Sequence, residues 1–485
     1  MKKSKIPNFS YSCMFAGFAP SRSPMPSLLC GLAAVVGLFL CASGAHSSAG
    51  DAHPGAVTMP ADPQIAAALK EVSPDRIQAT IDKLVGFHTR LTLSDQSSQS
   101  IAAGRGIGAA REWIKSEFEQ YSKECGGCLQ VKTDTFTQPP ADRIPKATEI
   151  TNVYAVLRGS DPESAKRIVL VTGHYDSRNS DTLDASGDAP GANDDASGTA
   201  VSLECARVLS KLKFPGTIIF LTVAGEEQGL NGSKHFAEMA KQQGWNIEAV
   251  LNNDIVGGDK NPQQDPSVVR VFSEGIPVAA GDAQIRLLRG LGAESDSASR
   301  ELARYIVTVG HTYAAGVEPL LIFRLDRFLR GGDHYSFNQQ GFAAVRFTEY
   351  REDFNHQHQN VRTENGMEYG DLPRFVNFGY VAHVAGLNAA TLASLASAPA
   401  PPGDVRVLTK ELTNDTTLTW EASPRASAYE ILWRATSSPY WEKSQNVGNT
   451  TRTTLKMSKD NVVFAVSAVD GQGHRSLPVV PLPER

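Results

Sequence analysis

Five short apolar runs punctuate the middle of this chain, at residues 152–157, 168–172, 217–223, 247–252 and 343–347. Such runs, bounded by turn residues, read as buried strands. Between them, 196–212 and 230–243 carry helical periodicity, and strands alternating with helices indicate a mainly parallel mixed sheet flanked by helices on both faces. The predicted fold class is therefore α/β. Helical periodicity also starts at Pro63, through Ile65, Leu69, Ile77, Ile81 and Leu84, and a further helix is expected over 108–119. With 485 residues and 41% hydrophobic composition, the chain is long enough for this core and a smaller companion domain.

The composition changes at both ends. Residues 1–49 carry Lys2, Lys3, Lys5 and Arg22, no acid, and an apolar run at 28–41 followed by small residues. That pattern predicts a secretory signal and a secreted or periplasmic protein. The run falls short of the ~20 apolar residues of a membrane span. A lipid on Cys41 is the less favoured reading, because the large Leu40 precedes it. Removing the segment takes four positive charges from the net −5 and leaves −9, which argues against nucleic acid as a partner. Three cysteines then remain: Cys125 and Cys128 are expected to form a small disulfide, and Cys205 to be core.

Residues 50–62 read as a linker, 63–395 as the main domain and the Pro-rich 396–403 as a second, semi-rigid linker. Over 404–485 the pattern becomes short alternating runs at 416–420, 428–434, 451–455 and 462–469, as in an all-β sandwich. The sequence Leu418-Thr-Trp420, then Tyr429 to Arg434, then Val463 to Val469 resembles a fibronectin type III module over about 402–482. Phe464 stands where many such modules have tyrosine.

Four polar clusters lie just past strand ends, where open α/β sheets place their sites. Gly173-His174-Tyr175-Asp176 offers an imidazole to a metal and a carboxylate to hold its tautomer. In Asn193-Asp194-Asp195-Ala-Ser-Gly198, Asp194 is suited either to sharing its two oxygens between cations or to capping a helix. Gly225-Glu226-Glu227 follows a very apolar strand; two adjacent carboxylates there are costly unless paired or metal-bound, and one can ligate while the other acts as base. Asp254 ends a fourth strand. Late histidines, His356 and His358, follow the strand at 343–347. This mixture of nitrogen and oxygen donors suits zinc, with cobalt or manganese as substitutes. Neither a Gly-x-Ser-x-Gly elbow nor a His-Glu-x-x-His helix is present.

The His-x-Asp, Gly-Ala-Asn-Asp-Asp-Ala-Ser-Gly, Gly-Glu-Glu and Asn-Asp-Ile-Val-Gly elements, in this order, resemble the M28 family of zinc peptidases over about residues 65–395. The resemblance implies the zinc-exopeptidase fold and an aminopeptidase acting on peptides with two zinc ions. It implies His174 and Asp254 on separate ions, Asp194 bridging, and Glu227 and a late histidine completing the set. Glu226 is the implied general base for a metal-bridged water, and Asp176 the orienting acid. The family's acid four residues after the ligand histidine is replaced here by Asn360, four after His356. In an extended segment, residues two apart face one side, so alternation leaves both histidines open; the family-like position favours His356.

A carboxypeptidase or dipeptidase of the same fold would need cations for a substrate carboxylate, and Arg324, Arg327 and Arg330 lie nearby in sequence. A one-zinc glutaminyl cyclase leaves His174 without a role. A metal-free binding protein is opposed by the full ligand set. Residues 259–340 are expected to shape the pocket, with Tyr335 and Phe337 either lining it or packed in the core.

Overall fold

A computed structural model describes residues 56–484, so the export signal expected at 1–49 and the first part of the linker at 50–62 lie outside the described residues. Eight strands make one mixed sheet: β1 (Leu129–Gln138), β2 (Thr148–Leu157), β3 (Arg167–His174), β4 (Thr217–Val223), β5 (Asn246–Asn253), β6 (Val268–Ser273), β7 (Glu318–Ile322) and β8 (Ala344–Glu349). Their spatial order is β1-β2-β4-β3-β5-β8-β6-β7. The central four, β4, β3, β5 and β8, are mutually parallel, so their C-terminal ends open on one edge. β2 and β6 run antiparallel to β4 and β8.

Among the described residues there are ten α-helices, most of them packed around the sheet: α1 (Pro63–Leu69), α2 (Pro74–Val85), α3 (Ser98–Ala102), α4 (Gly106–Glu124), α5 (Ala196–Leu209), α6 (Asn231–Gln242), α7 (Asp282–Leu291), α8 (Ala298–Tyr313), α9 (Asp333–Gln339) and α10 (Phe378–Ser397). Six of the ten start on a side-chain cap. The Asp62 carboxylate accepts from the amides of Gln64 and Ile65 with Pro63 at the first helical position, and Ser73 with Pro74 repeats the device. The two faces of β3 illustrate the layering, since side chains alternate along a strand. Val169 and Val171 join the core that holds Ile77, Ile114, Val201 and Leu392. Leu170 points the other way, to Phe236 of α6 and Phe337 of α9. All seven residues of β4 are buried, which explains its unbroken apolar sequence.

The link at Gly173 is tighter still. A Cβ there would lie 2.4 Å from the backbone of Gly198, so the pair of glycines lets α5 press directly onto the end of β3.

A hairpin of β9 (Arg362–Glu364) and β10 (Met367–Tyr369) precedes α10. Beyond α10 come β11 (Gly403–Leu408), β12 (Thr416–Glu421), β13 (Ala428–Ala435), β14 (Lys443–Gly448), β15 (Arg452–Leu455), β16 (Val462–Val469) and β17 (Leu482–Glu484). They form a four-stranded sheet, β15-β12-β11-β17, and a three-stranded one, β14-β13-β16. Leu418 and Trp420 of the first pack with Tyr429, Ile431, Phe464 and Val466 of the second. The Pro-rich link is shorter than its composition suggests, because α10 runs to Ser397. It is also held in place: Arg167 donates to Ala398 O and Arg425 to Ser397 O.

This β unit is tied to α8 by buried polar contacts. The Trp441 indole N–H donates to Glu301 Oε2 at 2.9 Å, Arg304 Nε to Pro439 O at 2.9 Å, and the Tyr305 hydroxyl to Arg475 O at 2.9 Å. Arg434 pairs with Asp296. Cys125 and Cys128 form a disulfide, and Cys205 is a buried free thiol. Among the described residues no helix is long and apolar enough to cross a membrane.

Candidate metal centre

Three of the sequence clusters meet at the C-terminal ends of β3, β4 and β5, and the acidic turn at the start of α5 joins them. His174, the last residue of β3, is buried, with Nε2 3.2 Å from Asp194 Oδ1 and 3.9 Å from Asp254 Oδ1. Its Nδ1 faces Asp176, 3.1 Å from the backbone oxygen and 3.5 Å from Oδ1. Asp176 also accepts from Thr92 Oγ1 and from the amides of Glu226 and Glu227. It therefore fixes the imidazole and the Glu-Glu turn with one carboxylate.

Asp194 divides its oxygens. Oδ2 lies 2.8 Å from His358 Nε2, and that nitrogen is 2.9 Å from Glu227 Oε1. Two donor groups thus form, His174–Asp194–Asp254 and Asp194–Glu227–His358, sharing the residue in the middle. Five buried or half-buried N and O donors of this kind fit zinc. The helix cap weighed for Asp194 belongs instead to its neighbour: Asp195 accepts from Gly198 N and is the N-cap of α5. Asp195 also accepts from the His174 amide, tying α5 to β3.

His356, favoured from sequence position, lies outside both donor groups, and the late histidine within them is His358. The assumption of an extended segment is what fails. Residues 353–358 form a turn, with the amides of His356 and Gln357 both donating to Asp353 O, so residues two apart do not share a side. His356 stacks on Phe375 at 3.7 Å, and its Nδ1 meets Asp259 Oδ2 at 2.5 Å.

Electrostatics follow the crowding of acids. Burial works against the charged form of His358, but Glu227 and Asp194 overcome it and push the imidazole up to about 10. His174 is likewise raised despite burial, by Asp176 and Asp194. Desolvation, with repulsion from Asp254, Glu227 and Asp333, lifts Glu226 well above the usual carboxylate range; cations in the site would pull it back down. Asp254 is held low against burial by Arg346, whose Nη2 is 2.9 Å away.

Several supporting residues carried no legible signal. Arg346 sits inside an apolar strand, yet it is fully buried and pairs with both Asp254 and Asp326. Asp371 follows the β9–β10 hairpin and accepts from the amides of Asn193 and Asp194 at 2.8 and 2.7 Å, which positions the shared carboxylate. Gln357 Nε2 donates to Asp194 Oδ2. Arg178 donates through Nε to Glu227 Oε2, and its Nη2 lies 2.6 Å from His358 Nδ1. Of the arginines considered for a carboxylate, Arg327 is paired with Asp326 and Glu352, and Arg324 stacks over Phe328. Arg330 lines the pocket beside Glu226. Phe337 is core, and Tyr335 is not among the pocket-lining residues.

An α/β fold with clustered histidines and acids at its parallel strand ends defines a metal-dependent hydrolase class. The family model described as Peptidase family M28 matches residues 152–372. A protein of Pyrenophora teres f. teres described as "Probable zinc metalloprotease" is 46% identical over 434 residues, covering 88% of each chain. One of Leptosphaeria maculans, "Probable zinc metalloprotease Lema_P086240", is 45% identical over 88% of this chain and 99% of its own. The solved LapA aminopeptidase of Legionella pneumophila is 22% identical with TM-score 0.48, over 69% of this chain and 75% of that one. The chain belongs to peptidase family M28 and is a zinc metalloprotease acting on peptides.

Proposed function

We propose that the protein is an exported aminopeptidase that holds two zinc ions and releases N-terminal residues from peptides. The divided carboxylate of Asp194, one oxygen toward His174 and the other toward His358, carries this reading. His174 and Asp254 would hold one ion, Glu227 and His358 the other, and Asp194 both. Bound zinc supplies Lewis acidity, polarising the scissile carbonyl and making a water more acidic.

The protein's own groups do the rest. Glu226, which lines the cavity beside Glu227, takes the proton of the attacking water and returns it to the leaving amine. Asp176 keeps His174 in one tautomer. The family resemblance of the four motifs supports the choice of the N-terminal bond, and a cavity of about 550 Å³ beside Glu226 and Glu227 accommodates a short stretch of peptide.

Export rests on the character of residues 1–49 and is supported by the Cys125–Cys128 disulfide. The C-terminal unit is read as a fibronectin type III-like domain at 404–485, supported by its two packed sheets. Stripping the protein of metal and titrating zinc back should restore activity in parallel with uptake of two equivalents, and mass spectrometry of a digested peptide should show loss from the N-terminus. Full activity at one equivalent, or trimming from the C-terminus, overturns the proposal.

A further inference from the structure

The cavity beside the proposed metal centre has an uneven chemistry. Glu226 and Glu227 are its acids, and both belong to the reaction centre. Its outer part is formed by Arg143, Arg178 and Arg330 together with the apolar side chains of Leu230, Leu329 and Phe354. These residues come from separate parts of the chain: the loops before β2, after β3 and after β8, and the turns after β4 and before α9.

The three arginines are not equally engaged. Arg178 is neutralised by Glu227 at 2.8 Å. Arg143 donates to the backbone oxygen of Glu227 at 3.1 Å, and among the described residues no carboxylate lies within ion-pair distance of it. Arg330 is 3.5 Å from Glu352. That carboxylate is already shared by Arg270 at 3.0 Å and Arg327 at 2.6 Å, so it cannot neutralise a third guanidinium. Two incompletely balanced, exposed cations therefore flank a concave, partly apolar site and would draw an anion toward it. The guanidinium fork matches a carboxylate in geometry.

The backbone holds this wall in place. Leu230 and Leu329 both adopt left-handed conformations, with φ of 61° and 55°, uncommon for a bulky side chain. Leu329 is fully exposed and Phe354 largely so, which leaves their apolar surface free to pack against a ligand.

We propose that Arg143 and Arg330 bind a carboxylate of the substrate, so that the enzyme favours peptides carrying a free carboxylate close to the bond cleaved. This deepens the aminopeptidase reading and rests on it. The carboxylate is either the C-terminus of a very short peptide or an acidic side chain. The apolar wall takes the aliphatic part of the same substrate.

Two matched pairs test the proposal on the zinc-loaded full-length protein: Leu-Leu against Leu-Leu amide, and glutamyl against glutaminyl p-nitroanilide. A charge-assisted contact contributes about 1.5–3 kcal/mol, so the carboxylate member of at least one pair should be favoured about tenfold or more in kcat/KM. Preference within the first pair identifies the C-terminus, and within the second the side chain. Raising the salt concentration should increase KM for the favoured member and narrow the ratio. In Arg143→Met, in Arg330→Met and most fully in the double variant, the ratio should collapse toward unity. Equal kcat/KM within both pairs, or a ratio that survives the double substitution, overturns the proposal. Failure to cleave any of the four substrates would instead tell against the aminopeptidase reading itself.

Discussion

His358 Nε2 lies 2.8 Å from Asp194 Oδ2, while the other oxygen of the same carboxylate is 3.2 Å from His174 Nε2. One side chain thus links two donor groups built on different strands. If His358 is the fifth ligand, His358→Ala should lose one zinc or bind it much more weakly, whereas His356→Ala should retain two. Metal counting on both variants checks this, and the opposite pattern would return the role to His356.

The adjacent glutamates should separate cleanly. Glu227 touches His358 and Arg178, so Glu227→Gln should lose metal. Glu226→Gln should keep both ions and lose about 10²–10⁴-fold in rate, the usual contribution of a positioned general base. Reversed metal contents would exchange the two assignments.

His174, Glu226, Glu227 and Asp254 were legible because they sit at or just past strand ends, where a short polar motif interrupts an apolar run. The central strands were legible for the same reason: burial on both faces leaves an unbroken hydrophobic sequence, as in β4. β1 was missed because one of its faces is solvated, so Leu129–Gln138 reads as mixed polar sequence. The choice between His356 and His358 depended on a turn whose only local sign is Asp353, which accepts from Asn355 N. Arg346 and Asp371 act through contacts between segments far apart along the chain, and no spacing rule reaches that far.

Proton and zinc should compete at His358. Its imidazole, normally near 6.5, is raised to about 10 in the metal-free protein by Glu227 and Asp194, against the effect of burial. A raised folded value stabilises the metal-free fold below about pH 6.5, and that contribution is lost as pH climbs through about 10. Zinc must displace the proton, so its affinity should increase with pH across the same window. Denaturation of the metal-free protein at about pH 7 and about pH 10, with zinc titrations at each, checks both signs. Equal zinc affinity at the two pH values would contradict the competition.

Arg346 is fully buried between Asp254 and Asp326. Removing one member of such a network leaves uncompensated buried charge, which costs about 3–5 kcal/mol. Arg346→Met should therefore lower stability by that order in chemical denaturation. It should also weaken zinc binding, because Asp254 loses the group that holds it ionised. Wild-type stability in this variant would show that the ion pair contributes little.

The C-terminal sandwich has a different dependence from the one its linker composition suggests. A Pro-rich link implies an independent unit, and removal of residues 400–485 would then leave turnover of small substrates almost unchanged. The packing argues otherwise. Glu301 and Arg304 on α8 are buried against Trp441 and Pro439, and Tyr305 donates to Arg475 O. Truncation would expose this surface and strip partners from polar groups placed for a buried setting, each worth about 1–3 kcal/mol when left unsatisfied. The truncated chain should therefore unfold at lower denaturant concentration and accumulate less in soluble form. Whatever fraction folds should keep near-normal kcat, since every proposed ligand precedes residue 400. The point variant Trp441→Ala separates the effects: it should lower stability while leaving KM and kcat of the folded enzyme close to wild type. A truncated protein as stable as the full chain would show that the contacts with α8 are incidental.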